Sequence, residues 1–169
     1  MKKLKLGVSS CLLGESVRYN GEHKRDSTVI DLLGQQFEAV PVCPEVELGM
    51  GVPREPVRLV ANDASSERMV GSESGKDWTQ AMVDFNSIKL EALRQQNLSG
   101  FIFKSRSPSC GPSNVPLHHE QEKSSTVGLF AHALMQYFPS LPVIDEEALQ
   151  DEIVRQDFVA RVIQYGEKV

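Results

Sequence analysis

The sequence predicts an α/β fold: a single-domain, three-layer sandwich with a mostly parallel, Rossmann-like sheet flanked by helices. Short apolar segments alternate along the chain with segments in which apolar residues recur at helical spacing. Such alternation is typical of parallel sheets whose strands are joined by helices. The chain has 169 residues, 40% of them hydrophobic and 24% charged, which is enough for one domain with its own core, residues 1–169.

The first part of the chain predicts a βαβ unit, whose crossover is right-handed in nearly all proteins. Its elements are a strand at 4–9, a helix capped by Asp26 or Ser27 that stops near Gly34, and a strand at 37–42. Residues 49–70 follow as an irregular loop with a short β excursion and a turn at 62–63.

The second part predicts three more helices and two more core strands. They are a helix from a capping box of Asp77 and Gln80 to about Gln96, a strand at 100–103, a helix over 130–138, a strand at 141–144 and a closing helix capped by Asp145. A polar loop with His118 and His119 precedes the second of these helices. The apolar stripes include Ile88 in the long helix and Ile153 in the closing one.

Charge and hydropathy exclude several classes of function. The formal net charge is −5, from 18 basic and 23 acidic side chains, which disfavours capture of nucleic acid or of an anionic membrane. The apolar stretch before Cys11 is too short for a signal peptide, which needs roughly 7–15 apolar residues. We therefore expect a cytoplasmic protein, monomeric or homodimeric, that acts on a small molecule.

Three cysteines, Cys11, Cys43 and Cys110, lie far apart in the sequence. An odd and dispersed set argues against a disulfide framework, and each thiol taken singly could be a small core residue. However, each cysteine comes at or just after the end of a predicted strand. Because the carboxyl ends of parallel strands meet at one edge of the sheet, where ligands bind, we expect the three thiols to converge there.

Two kinds of metal site suit three converging thiols. A structural zinc site needs a fourth ligand, which would be a histidine chosen from His23, His118, His119 and His132. A cubane iron–sulfur cluster with three cysteine ligands would leave one iron open, and an open iron acts as a Lewis acid. The residues alone leave these two alternatives open.

Two polar side chains accompany the thiols and are candidate catalytic residues. Glu45 lies two residues after Cys43, and Ser107 lies three residues before Cys110. A carboxylate at such a site is a candidate general acid or base, and a hydroxyl could orient a substrate or pass on a proton. The alternatives are an ordinary ion pair of Glu45 with Arg54 or Arg58, and a turn role for Ser107 before Pro108.

Three segments carry a resemblance to a known family. They are VSSCLLGESVRYNG at 8–21, VPVCPEVELGMGVPREPVRL at 40–59 and KSRSPSCG at 104–111, in this order. Together they resemble the signature of the thiouracil desulfurase family, and the remaining helices up to Val169 fit it as well. The resemblance therefore covers essentially the whole chain.

The resemblance implies a cofactor and a reaction. It implies a [4Fe–4S] cluster held by Cys11, Cys43 and Cys110, whose open iron binds the sulfur of a thiolated pyrimidine, and which we expect to be lost in air. Glu45 and Ser107 match the family's acid/base positions. The implied reaction is the non-redox conversion of 2-thiouracil, or a close relative, to uracil and hydrogen sulfide.

The resemblance also bears on substrate binding. Arg18 and Tyr19 match positions typical of the family, and we expect them to line the substrate pocket. Asn20 departs from the family, in which an aspartate is common at this place, so no acid can act there. Related proteins with an added domain are associated with thiolated transfer RNA. Because this sequence lacks that domain and is acidic, we expect a free base as substrate.

Other functions remain as alternatives. The protein could be a structural or sensory zinc or iron–sulfur protein, or a lyase whose open iron binds a hydroxyl group. Nucleotide binding by a Rossmann-type motif ranks last, because no G-x-G-x-x-G follows the first strand and the sequence has no P-loop.

Overall fold

A computed structural model describes residues 2–61, 66–120 and 122–169 of the chain. Within these ranges the chain forms eight strands and five α-helices. The strands are β1 (Leu4–Ser9), β2 (Phe37–Val42), β3 (Val57–Ala61), β4 (Glu67–Gly71), β5 (Leu98–Phe103), β6 (Val115–His118), β7 (Lys123–Thr126) and β8 (Val143–Asp145). The helices are α1 (Ser27–Gln36), α2 (Pro44–Glu47), α3 (Thr79–Arg94), α4 (Leu129–Tyr137) and α5 (Glu152–Gly166).

The central sheet has the strand order β2-β1-β5-β8, and all its strand pairs are parallel. It is built from the four core strands that the sequence predicts. Every residue of β5 is buried, as expected for an inner strand of a parallel sheet covered on both faces.

A second sheet, with the order β4-β3-β6-β7, was only half anticipated. The β excursion expected within residues 49–70 is present as the antiparallel pair β3 and β4. The loop predicted around His118 is wrong in part, because His118 ends β6, which pairs in parallel with β3. The predicted turn at 62–63 lies outside the described residues.

The layers follow from two hydrophobic clusters, one on each face of the central sheet. One cluster joins the sheet to α1 and α5 through residues such as Val29, Ile102 and Phe158. The other joins it to α3, α4 and the second sheet, with Phe101 and Phe130 at its centre. Helices therefore cover both faces of a parallel sheet, and the predicted α/β class is confirmed.

Several helix boundaries differ from the prediction because local hydrogen bonds decide them. Asp26 caps α1 as expected, accepting from the Val29 amide at 3.0 Å. The predicted capping box at α3 is wrong, since Gln80 donates along the helix to Asp84. Asp145 caps only a short 3-10 turn at Ala148, and Asp151 is the residue that caps α5.

The predicted apolar stripes are partly wrong as well. Ile88 is 76% exposed and Ile153 is 79% exposed, so neither belongs to the core. Helix α3 instead buries Met82, Leu90 and Leu93.

Candidate active site

The carboxyl ends of β1, β2 and β5 open onto a single cavity of about 350 Å³. This volume is at the small end of the roughly 300–1,000 Å³ typical of ligand pockets. The cavity wall contains the three candidate cysteine ligands, the two candidate acid/base residues and the two expected substrate-binding residues, namely Cys11, Arg18, Tyr19, Cys43, Glu45, Ser107 and Cys110. The edge of the parallel sheet thus brings together residues that are up to about a hundred positions apart in sequence.

Each cysteine is placed by the element that follows a strand. Cys11 lies in a 3-10 turn directly after β1, and its carbonyl accepts hydrogen bonds from the amides of Gly14 and Lys24. Cys43 is the cap residue of α2, and its amide donates to Glu47 Oε2 at 2.9 Å. Cys110 is buried in the loop after β5. All three thiols are free.

Burial governs the protonation of these thiols when no metal is bound. Desolvation raises the pKa of Cys11 to about 11, although the nearby Lys104 opposes it. Desolvation also raises the pKa values of Cys43 and Cys110, and the charges of the other two cysteines add to the rise at Cys110. The thiols are therefore protonated at neutral pH, and a metal that binds them must displace their protons.

The donor set discriminates between the two metal sites that the sequence left open. In the part of the chain that the structure describes, no three His, Cys, Asp or Glu side chains come close enough to hold a single metal ion. None of the four histidines lines the cavity. A cubane cluster places each thiolate on a different iron, so its ligands stand apart around a larger body. Three thiols without a histidine fit such a cluster better than a zinc ion.

Glu45 is held at both carboxylate oxygens. Arg54 Nε lies 3.3 Å from Oε1, and the Ser109 hydroxyl donates to Oε2 at 2.8 Å. Only 15% of the Glu45 side chain and 7% of the Arg54 side chain are exposed. The expected alternative of an ion pair with Arg54 therefore holds, and the same carboxylate also faces the cavity.

Ser107 is both a turn residue and a cavity residue. Its Oγ accepts hydrogen bonds from the amide of Cys110 at 3.1 Å and, more weakly, from the amide of Ser109 at 3.3 Å. It also lies 3.1 Å from Ser109 Oγ. Ser107 and Glu45 are thus connected through Ser109, a residue that the sequence analysis missed. The only signal for it was its position next to Cys110.

The turn that carries Ser107, Ser109 and Cys110 sits on the start of α4. The amide of Leu129 donates to the Pro108 carbonyl, and the amides of Phe130 and Ala131 both donate to the Ser109 carbonyl, each at 3.0 Å. These are among the first four amides of a helix, which have no partner within the helix itself. The turn therefore caps α4, and α4 in return fixes the turn.

A buried ion pair holds the other end of the same loop. Glu146, just after β8, lies 2.7 Å from Lys104 Nζ and accepts hydrogen bonds from the amide and the hydroxyl of Ser105, also at 2.7 Å. Burial works against ionisation of Glu146, but the bonds from Lys104 and Ser105 outweigh it and lower the pKa of this carboxyl. The sequence carries no signal for this role, because Glu146 simply follows Asp145 at the predicted start of the closing helix.

Arg18 and Tyr19 belong to a separate loop that covers the cavity. The Tyr19 carbonyl accepts from the Arg54 amide at 2.7 Å, and the Arg18 guanidinium lies 5.6 Å from the centre of the Tyr19 ring. Asn20 has a turn role, because its side chain accepts from the Glu22 amide at 3.0 Å and donates to the Glu22 carboxylate.

Comparison with known proteins identifies the family of this chain. The 2-thiouracil desulfurase family matches residues 6–146, which include all three cysteines, Glu45 and Ser107. The chain belongs to this family. The resemblance that the sequence motifs indicated, and with it the expected enzyme class, is thereby confirmed.

One curated protein and one solved structure are also similar to this chain. The uncharacterized protein YbbK of Bacillus subtilis (strain 168) is 33% identical over 108 residues, which are 62% of this chain and 71% of YbbK. The solved structure of the [4Fe-4S]-dependent thiouracil desulfidase TudS superposes with a TM-score of 0.66 and 32% identity, over 88% of this chain and 94% of that one. Within the described residues, no helix combines the length and the apolar character needed to cross a membrane.

Proposed function

We propose that this protein removes the sulfur atom of 2-thiouracil, or of a close relative, and releases uracil and hydrogen sulfide without net redox change. The observation that carries the proposal is the convergence of three free thiols and the Glu45 carboxylate on one cavity. Membership in the 2-thiouracil desulfurase family and the likeness to TudS support it.

Cys11, Cys43 and Cys110 would hold a [4Fe–4S] cluster in this cavity. When bound, such a cluster with three protein ligands supplies an open iron, a Lewis acid that polarises a thiocarbonyl group. The reducing conditions that free cysteines require favour a cytoplasmic location. The chain's own part in the cofactor site is to bring the three thiols to one edge of the sheet and to screen them from water.

Glu45 and Ser107 would manage the protons of the reaction. Replacing sulfur by the oxygen of water requires that the attacking water lose protons and that the departing sulfur gain them. Glu45 is suited to this exchange because it faces the cavity and is held in one orientation by Arg54 and Ser109. Ser107 is the half-buried hydroxyl of the same hydrogen-bonded group.

Arg18 and Tyr19 would contact the base. Both lie in the cavity wall, and Tyr19 is 39% exposed, so its ring and hydroxyl are accessible to a small molecule. A cavity of about 350 Å³ that must also contain a cluster leaves room for a free base rather than for a folded nucleic acid. The net charge of −5 points the same way.

The test is anaerobic reconstitution followed by turnover. Iron and acid-labile sulfide are counted per chain, 2-thiouracil is added, and the release of sulfide and the formation of uracil are followed. Four irons per chain with release of both products would support the proposal. A cluster without sulfide release would favour a lyase, and bound zinc without iron would favour a structural or sensory protein; either result would contradict the proposal.

A further inference from the structure

One serine hydroxyl in the cavity wall has no partner inside the protein. The wall contains five serines, and four of them form side-chain hydrogen bonds to other residues: Ser9, Ser105, Ser107 and Ser109. The fifth is Ser10, which is 4% exposed and whose hydroxyl forms no hydrogen bond with another described residue. Because buried polar groups in proteins are nearly always hydrogen-bonded, the structure leaves the partner of this hydroxyl to be found.

The Ser10 hydroxyl is open to the cavity. Within the described residues, Asn86 Oδ1 is the one fully enclosed side-chain oxygen or nitrogen of a buried residue that has no partner. Ser10 Oγ also has no partner, so it is not fully enclosed. Since Ser10 is buried but lies in the cavity wall, its remaining accessible surface faces the cavity. The missing partner therefore belongs to what occupies the cavity.

The depth of Ser10 indicates which occupant it meets. Ser10 and Cys110 are 4% and 5% exposed and form the floor of the cavity, whereas Tyr19 is 39% exposed and lies at its mouth. Ser10 also directly precedes Cys11 in the 3-10 turn after β1. A cluster held by the thiols must lie on this floor, and a base bound to its open iron must lie on the side of the mouth. Ser10 is therefore placed against the cluster and not against the base.

We infer that the Ser10 hydroxyl donates a hydrogen bond to a sulfur atom of the cluster. The inference rests on the proposed function and deepens it, because it assigns a residue that tunes the cofactor. A hydrogen bond to sulfur stabilises the additional negative charge of the reduced cluster and so raises its reduction potential. It also draws electron density away from the irons, which favours the Lewis acid on which the proposed desulfuration depends.

The experiment compares Ser10→Ala with Ser10→Thr, which keeps a hydroxyl. The matched control is Ser99→Ala, because Ser99 is 3% exposed, lies outside the cavity wall and likewise has no hydroxyl partner among the described residues. Thermal unfolding is measured on each metal-free protein. After anaerobic reconstitution, four further quantities are measured: iron and sulfide per chain, the reduction potential, the rate of iron loss to a chelator, and the iron–sulfur stretching bands in resonance Raman spectra in light and heavy water.

Metal-free Ser10→Ala should unfold at the temperature of the wild type, because the substitution removes no hydrogen bond from the protein itself. The reconstituted variant should have a lower reduction potential and should lose iron about 10-fold faster, as expected when a group that supports a metal site is removed. Its iron–sulfur bands should shift less in heavy water, because one exchangeable proton no longer reaches a sulfur. Ser10→Thr should restore most of each effect, and reconstituted Ser99→Ala should match the wild type.

Two results would overturn the inference and leave the desulfuration intact. One is a reconstituted Ser10→Ala protein with the potential, iron loss and heavy-water shift of the wild type. The other is a lower unfolding temperature of the metal-free variant, which would indicate that the hydroxyl supports the fold. If the unsubstituted protein assembled a cluster but released no sulfide, the desulfuration alone would fail, because the potential and the Raman bands do not depend on turnover. If it bound no iron, both would fail.

Discussion

Arg54 and Glu45 form a nearly buried ion pair, with 3.3 Å between Arg54 Nε and Glu45 Oε1. The same arginine donates from Nη1 to the Gly51 carbonyl at 2.9 Å and from its amide to the Tyr19 carbonyl at 2.7 Å. One residue therefore connects the Glu45 carboxylate to the loop that carries Arg18 and Tyr19. The orientation of Glu45 and the position of the loop that carries Arg18 and Tyr19 depend on the same residue, through its side chain and its backbone amide respectively.

The effects of substituting Arg54 and Glu45 on the stability of the protein should be coupled. Breaking a buried ion pair from one side leaves a charge without its partner, so Arg54→Met and Glu45→Gln should each destabilise the protein. The double variant should lose less stability than the two single variants lose together. The difference, a coupling energy in the free energy of unfolding, should be about 0.5–3 kcal/mol. Urea titration of the metal-free protein measures it. Arg58→Met, at an exposed position, is the control, and additive effects of the pair would refute the coupling.

The proposed division of roles predicts different phenotypes for neighbouring residues. Cys43→Ala should abolish uptake of iron and sulfide, because it removes one of three thiolate ligands. Glu45→Ala should keep the brown colour of the cluster and lose turnover. Iron analysis and visible absorption measure the first effect, and sulfide release measures the second. Val42→Ala, which shortens a buried neighbour, should retain iron; a colourless Glu45→Ala protein would contradict the scheme.

The buried carboxylate Glu146 should make stability depend on pH. Its pKa in the folded protein lies below the ordinary value of 4.5, so its contribution is complete well above pH 4.5 and is lost as the pH falls through the folded pKa. Glu146→Gln should therefore cost about 1–3 kcal/mol at pH 7. The difference from the wild type should shrink in acid, as urea titrations at several pH values would show.

The neighbouring residue Glu147 provides the matched control. It pairs with Arg106 on the surface, where 54% of its side chain is exposed. Exposed pairs contribute about 0–1 kcal/mol, so Glu147→Gln should have little effect at any pH. If Glu146→Gln and Glu147→Gln lowered the free energy of unfolding by the same amount, the buried carboxylate would not contribute more to stability than the exposed one.

Gly128 should tolerate no side chain. A methyl group there would lie 2.6 Å from the Ser109 carbonyl oxygen and 2.8 Å from that of Ser107. Gly128→Ala should therefore displace the turn, cost about 1–3 kcal/mol and lower turnover. Gly34→Ala, in α1 with no atom within 4 Å of the new methyl group, should instead stabilise the protein by about 0.5–1 kcal/mol. Thermal unfolding and sulfide release distinguish the two; a fully active Gly128→Ala protein would contradict the tight packing.

The sequence predicts the central sheet well, because its strands are short, largely apolar segments that alternate with polar loops and helical patterns. It predicts helix faces less well. Ile88 continues the spacing of Met82 and Phe85, yet it points outward, because α3 is buried only along the line that faces α4 and the second sheet. The strand ending in His118 is not evident from the sequence, because buried and exposed residues alternate there over only four positions, one of which is a proline.

The candidate site shows the same limit. The cysteines could be assigned to one edge from topology, since each follows a strand and the carboxyl ends of parallel strands meet. Ser109 and Glu146 act through tertiary contacts with partners 64 and 41 positions away along the chain, to which no spacing rule applies. The sequence therefore indicates which side chains converge on the cavity and the ion pair of Glu45 with Arg54, but not the other neighbours that hold these groups in place.

The capping of α4 by the Pro108 and Ser109 carbonyls has a consequence for local stability. When the turn opens, the amides of Leu129, Phe130 and Ala131 lose their partners at the same moment. The turn and the first turn of the helix therefore form one cooperative unit that opens and closes together. Contacts in the cavity that hold Cys110 and its turn in place should therefore also reduce fraying at the start of α4.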